Sequence, residues 1–186
     1  MTEPSFPRLA SLACHDLRTP LATVNGFAKT LLASGDLGER DARFLGMIDE
    51  AAGQMAALLD QLGLAARIAA GRYEPAIAEA DPVELASSGD PRLSVAGEGE
   101  PFPTDGAVVR MSLAALANAA ARYGPVAGVT WTVAGRELVL SPVTEEAAPV
   151  LSGESPRDLG ALVARIAIEA LGGSIAVDGA ALRVLL

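Results

Sequence analysis

Residues 8–32 read RLASLACHDLRTPLATVNGFAKTLL, and this stretch decides the architecture of the chain. Leu9, Leu12, Ala13, Asp16, Leu17, Pro20, Leu21, Val24, Phe27, Ala28, Leu31 and Leu32 recur at the spacing of one helical face. Pro7 suits a first helical turn, where its missing N–H is not needed, so the pattern predicts a helix from about Pro7 to Ala33. Counting about 100° per residue, His15 lies roughly 170° from the middle of that stripe, near Ser11, Arg18 and Ala22, and is expected in solvent. Pro20 removes one backbone hydrogen bond and predicts a kink just after His15.

Working outward, Ser34-Gly35-Asp36-Leu37-Gly38 reads as a turn, with Asp36 and Glu39 spaced as a capping box. A second helix is predicted from about Glu39 to Ala70, with Phe44, Leu45, Ile48, Ala51, Ala52, Met55, Leu58, Leu59 and Leu62 on one face and Gly71 as its stop. Two such helices joined by a short turn form an antiparallel hairpin. One hairpin leaves most of its apolar stripe in water, so two are expected to pair as a homodimeric four-helix bundle.

Between Tyr73 and Pro103 the texture turns to Pro, Gly, Glu and Asp, which reads as linker with at most one strand at Leu93-Ser94-Val95. A helix is then expected at about Asp105–Arg122, ended by Gly124-Pro125. Strands follow at Val126–Val133 and Glu137–Leu140, then a helix at Pro156–Leu171, then strands at Ser174–Val177 and Leu182–Leu186. The fold class is therefore α+β: residues 1–74 form the helical hairpin and residues 75–186 a small α/β layer domain.

Composition narrows the function. The formal net charge is −9, which argues against general affinity for nucleic acid or anionic lipid. No apolar run reaches a membrane span, and MTEPSFPRLA lacks the charged and apolar regions of a signal peptide. Cys14 is the only cysteine and reads as a small packing residue, so a cytoplasmic location is expected. His15 is the only histidine, which removes the ligand set a transition-metal site needs, and no metal is expected. A lone histidine followed by an acid on the polar face of a long helix suits a phosphoryl acceptor. One ring nitrogen attacks phosphorus best when the other donates its proton to a carboxylate.

The run His15-Asp16-Leu17-Arg18-Thr19-Pro20-Leu21, with residues 40–74 ending LLDQLGLAARIAAGRYE, resembles the dimerisation and phosphotransfer domain of bacterial histidine kinases. The resemblance implies that His15 is the phosphoacceptor, Asp16 the acid that polarises it, and Thr19 the residue that positions water for phosphatase activity. Ser11, Arg18 and Ala22 share the side of His15 and are the expected partner-binding positions. Arg18 is also placed to offset phosphoryl charge.

Residues 109–124, VRMSLAALANAAARYG, resemble the helix that carries the Mg²⁺-binding Asn in the ATP-binding domain of the same kinases. Aligning Arg122-Tyr123 with the family's basic-aromatic pair puts Ala119 at that Asn, with Asn118 one position away. Where the family has Asp-x-Gly-x-Gly, this chain has Ser141-Pro142-Val143-Thr144-Glu145-Glu146-Ala147. The later glycine box survives only as Asp158-Leu159-Gly160-Ala161. Acidic and bulky side chains in place of glycine keep a triphosphate from the backbone.

The resemblance thus implies a homodimeric histidine phosphotransferase with a degenerate kinase-like C-terminal domain. It would pass phosphoryl groups between response-regulator receiver domains through His15 without a cofactor. Two alternatives stay open at this point: a divergent kinase that phosphorylates His15 from Mg-ATP, with Asn118 at the nucleotide, and a non-catalytic dimeric scaffold that binds receivers.

Overall fold

The structure is a computed structural model that describes residues 6–186 apart from Asp36, Gly89, Pro125 and Val126. The expected capping box at Asp36, the helix stop at Pro125 and the strand start at Val126 lie outside the described residues, as does the side chain of Leu9. The chain divides into two compact units, one ending at Arg72 and the other Tyr73–Leu186.

The first unit is the expected hairpin. Helix α1 (Phe6–Ala33) runs 28 residues and continues through Pro20. Helix α2 (Glu39–Ala69) runs 31 residues and begins at Gly38, whose carbonyl accepts from the N–H groups of Asp41 and Ala42 at 3.0 Å. Glu39 and Asp41 in the first turn and Arg67 in the last suit the helix dipole. Gly71, at φ +63°, closes the helix by donating to the Ile68 carbonyl at 2.9 Å.

The face α1 turns to α2 takes in only part of the predicted stripe. Cys14 and Ala28 are buried, Leu21, Asn25 and Leu32 are half-buried, and across from them Ala52, Gly63, Leu64 and Ala66 are buried. Small residues there let the helices approach closely. Large members of the stripe stand out in water: Leu12, Leu17, Val24, Phe27 and Leu31 on α1, and Phe44, Ile48, Met55 and Leu58 on α2, with Met47 exposed beside them. Periodicity had merged these two neighbouring faces into one. Exposed apolar rows along both helices are what a second hairpin would cover.

The second unit is a two-layer α/β sandwich. Its five-stranded sheet has the order β2-β4-β5-β7-β6, built from β2 (Leu93–Glu98), β4 (Val129–Ala134), β5 (Glu137–Ser141), β6 (Ser174–Asp178) and β7 (Ala181–Leu185). The β2–β4 pair is parallel and the rest are antiparallel. Gly97 sits opposite Val133 in the parallel pair at φ +95°, and a side chain there would overlap the Val133 carbonyl. A smaller antiparallel pair joins β1 (Ala78–Ala80) to β3 (Phe102–Thr104).

Helices α4 (Gly106–Tyr123) and α6 (Leu159–Ala170) pack on one face of the large sheet. Leu113, Leu116, Trp131, Leu138, Leu140, Ile168, Leu182 and Val184 form the core between the layers and are essentially inaccessible. On the open face Ser94 and Thr130 share a hydroxyl hydrogen bond of 2.8 Å, and Arg183 bridges Glu137 and Asp178.

The segment 73–103 corrects the sequence reading. The expected strand at Leu93-Ser94-Val95 is present as β2, but in place of linker the rest holds β1, the short helix α3 (Pro82–Ala86) and the start of β3. Its prolines are placed, not disruptive. Pro82 opens α3 behind Asp81, whose carboxylate accepts from Val83 and Glu84, and Pro103 is exposed on a short edge strand. A further short helix, α5 (Ala148–Ser152), precedes α6, which begins at Leu159 and not at Pro156. Asp105 caps the start of α4 by accepting from the Val108 N–H. Its other oxygen takes the Tyr73 hydroxyl at 2.8 Å and the Ala76 N–H at 3.1 Å.

Candidate functional site

His15 stands on α1 with its side chain 80% exposed. Its Nδ1 lies 3.1 Å from Asp16 Oδ1. A carboxylate accepts only, so in the neutral ring this contact puts the proton on Nδ1 and leaves the lone pair on Nε2. The arrangement is made by sequence neighbours on one helix and needs no distant support. Pro20 contributes indirectly: lacking an N–H, it cannot bond the Asp16 carbonyl in the helical ladder.

Thr19 is exposed one turn beyond His15, and its carbonyl accepts from Thr23 Oγ1 at 3.1 Å. Ala22 is exposed and Ser11 half-buried. Arg18 reaches across to α2, where Nη2 and Nε contact Asp60 Oδ1 at 2.6 and 3.2 Å. Asp60 had no place in the sequence reading, because it sits inside an apolar row between Leu59 and Leu62. Its one signal was being an acid in that row. A second ion pair, Lys29 to Asp49 at 3.9 Å, fixes the register: eleven residues forward from Arg18 on α1 match eleven back from Asp60 on α2.

In the second unit the residues that the sequence resemblance sets near a nucleotide have partners within the unit. After β5, Thr144 caps the turn into α5, with its Oγ1 accepting from Ala147 N–H at 3.3 Å, and Ala147, Val150 and Leu151 are buried in the core. The Tyr123 hydroxyl donates to the Arg157 carbonyl at 2.9 Å, and Arg122 Nη1 reaches Asp158 Oδ2 at 3.2 Å. Asp158, only 9% exposed, also accepts from the Ala161 N–H at 3.0 Å and so caps α6. A protein carboxylate thus occupies the N-terminus of α6, the kind of helix end that receives a phosphate elsewhere.

Asn118 and Ala119 sit on different sides of α4. Ala119 is fully buried, whereas Asn118 is exposed beside a pocket of about 230 Å³ lined also by Ser88, Asp90 and Arg92. There Arg92 holds the Asp90 carboxyl down at about 2, first by its side-chain hydrogen bonds and then through its backbone N–H. Among the described residues no group of three or more His, Cys, Asp or Glu side chains is placed to hold a metal. No described helix is long and apolar enough to cross a membrane.

Residues 8–71 match the model of the His Kinase A (phospho-acceptor) domain. No curated protein matches the chain. Among solved structures, full-length ShkA in complex with AMPPNP is similar over 97% of this chain at a TM-score of 0.66 and 20% identity. This chain spans 45% of that one. The histidine kinase AdeS of Acinetobacter baumannii is similar over 91% of this chain and 94% of its own, at a TM-score of 0.54 and 17% identity. A bacterial phosphotransferase aligns over 98% of this chain and 97% of its own, at 15% identity and a TM-score of 0.42. At such identities the likeness is one of fold. Residues 8–71 are thus similar to a His Kinase A (phospho-acceptor) domain, and the chain continues from them into a small α/β domain whose fold is similar to that of histidine kinases.

Proposed function

We propose that this protein is a homodimeric histidine phosphotransferase that relays phosphoryl groups between receiver-domain aspartates through Nε2 of His15, without using ATP. The observation that carries the reading is the solvent-facing His15 with its Nδ1 committed to Asp16. In the forward step the Nε2 lone pair attacks the phosphorus of an aspartyl phosphate. An N–P bond forms, the acyl P–O bond breaks, and its electron pair leaves with the aspartate carboxylate. The Nδ1 proton faces Asp16, which offsets the charge that develops on the ring. The reverse step, on a second receiver, uses the same groups. Thr19 would orient a water for net dephosphorylation.

Three features support the finer points. The apolar rows left in water on α1 and α2 favour a second copy. Asp158 and Arg122 already satisfy each other and the α6 N-terminus, and Ala119 offers no metal ligand, so the residues present do not fit a Mg²⁺–triphosphate. The exposed face around His15 leaves room for a globular partner. The test is to charge receiver domains with acetyl phosphate and mix each with this protein. At least one receiver is expected to deliver an acid-labile, base-stable phosphoryl group to it. Failure across all receivers encoded beside this protein, with acid-labile label arriving from Mg-ATP instead, would overturn the reading.

A further inference from the structure

Arg18 is the cation nearest along the helix to the phosphoacceptor, one turn beyond His15 on α1. It is held away from its own helix by a single oxygen of Asp60, with Nη2 at 2.6 Å and Nε at 3.2 Å. Gly63, one turn further along α2, has no side chain there. A Cβ at that position would meet Arg18 Nη2 at 3.5 Å, Arg67 Nη1 at 3.8 Å and Cys14 Cβ at 3.9 Å. The guanidinium therefore lies over α2 in the gap that Gly63 leaves. Both partners of the pair are open to water, Arg18 at 44% and Asp60 at 62%, so the bridge is a weak surface one that a stronger anion can displace. A phosphoryl group on His15 Nε2 is such an anion, carrying nearly two charges and three acceptor oxygens. Asp16 does not compete for Arg18, because it faces His15 Nδ1.

We propose that Asp60 is a positioning residue for phosphotransfer: it parks Arg18 within reach of His15 in the resting protein and yields it to the phosphoryl group once Nε2 is phosphorylated. The inference rests on His15 being the acceptor, as proposed above. Asp60 touches neither phosphorus nor imidazole and acts only through Arg18. It therefore lowers the gain from phosphorylation by a fixed amount, and in exchange it keeps a long flexible side chain ordered beside the site.

Potassium phosphoramidate tests this without a partner, because it phosphorylates histidine directly with release of ammonia. The full chain, labelled with ¹⁵N-arginine, is followed by ¹H–¹⁵N spectra of the arginine Nε–H groups while ³¹P spectra report phosphohistidine. The Arg18 signal is expected to shift on phosphorylation and to keep its resting position in His15→Gln. In Asp60→Asn the resting signal moves to a solvent-exposed position, and phosphorylation brings it to the same place as in the unmodified protein. The rate of phosphorylation in Asp60→Asn is expected to rise about two- to fivefold, the scale of a surface ion pair. Asp60→Glu restores the original behaviour, and the Arg18→Gln/Asp60→Asn pair matches Arg18→Gln alone. An Arg18 signal unmoved by phosphorylation, or additive effects in the double variant, would overturn the exchange. Absence of any phosphohistidine signal in the unmodified protein would instead remove the assignment of His15 itself.

Discussion

Replacing His15 with glutamine abolishes phosphoryl acceptance while leaving the fold intact. Glutamine keeps a polar side chain of similar reach but has no nitrogen lone pair that can attack phosphorus, since its amide nitrogen is conjugated to the carbonyl. The chain holds no second histidine to take over. The expected loss is complete, read as the absence of acid-labile phosphate by ³¹P spectroscopy or intact mass. Stability should not follow. The side chain is 80% exposed and its one polar contact among the described residues is to its neighbour Asp16, so the melting temperature is expected within a degree or two of the original. Retained acceptance would place the phosphoryl group on another residue. Lost acceptance together with unfolding would make the result uninformative about chemistry, and circular dichroism of the same sample separates the two cases.

The largest expected effect on stability is at Trp131, the only tryptophan. It sits in β4 opposite Leu140, fully buried in the core of the second unit. Truncation to alanine removes the largest core side chain and leaves a cavity between sheet and helices. The expected cost is about 3–5 kcal/mol, a fall in melting temperature on the order of 15 °C for a unit of this size. The indole Nε1 is buried without a hydrogen-bond partner among the described residues. That makes a contrasting prediction possible. Trp131→Phe loses ring volume but also relieves an unpaired donor, so its cost is expected to be about 1 kcal/mol or less. If phenylalanine proves as damaging as alanine, the Nε1–H has a partner that matters. Scanning calorimetry suits both variants, because each removes the fluorescent probe.

The first unit was legible because long helices repeat their signal. Over 28 and 31 residues the 3.6-residue period is sampled many times, and turn residues bracket each helix. What periodicity could not do was divide the apolar surface between two neighbours. Cys14, Ala28 and Ala52 are buried within the hairpin, while Phe27, Phe44 and Met55 are exposed, and side-chain size, not period, makes that division.

In the second unit the strands with strict alternation were readable. Val129, Trp131 and Val133 alternate with Thr130, Thr132 and Ala134, and the burial follows that order. The three-residue strands β1 and β3 and the five-residue helices α3 and α5 were not, because such pieces span less than two full periods and show no repeat. They are held by long-range contacts such as Asp105 with Tyr73 and Ala76, which no local window contains.

The site divides in the same way. His15 and Asp16 are adjacent, so their contact was foreseeable from the sequence. Asp60 is forty-two positions from Arg18, and only the hairpin register brings the two together. The packing that engages Asp158, Arg122, Tyr123 and Arg157 could be anticipated only as missing glycines. The structure supplies the contacts that stand in their place.

Calorimetric titration of the intact protein with Mg-ATP, carried to millimolar concentration, tests most directly the claim that His15 works without a nucleotide. No saturable heat is predicted. Saturable binding would contradict the account and make phosphorylation of His15 from ATP the leading explanation of this chain.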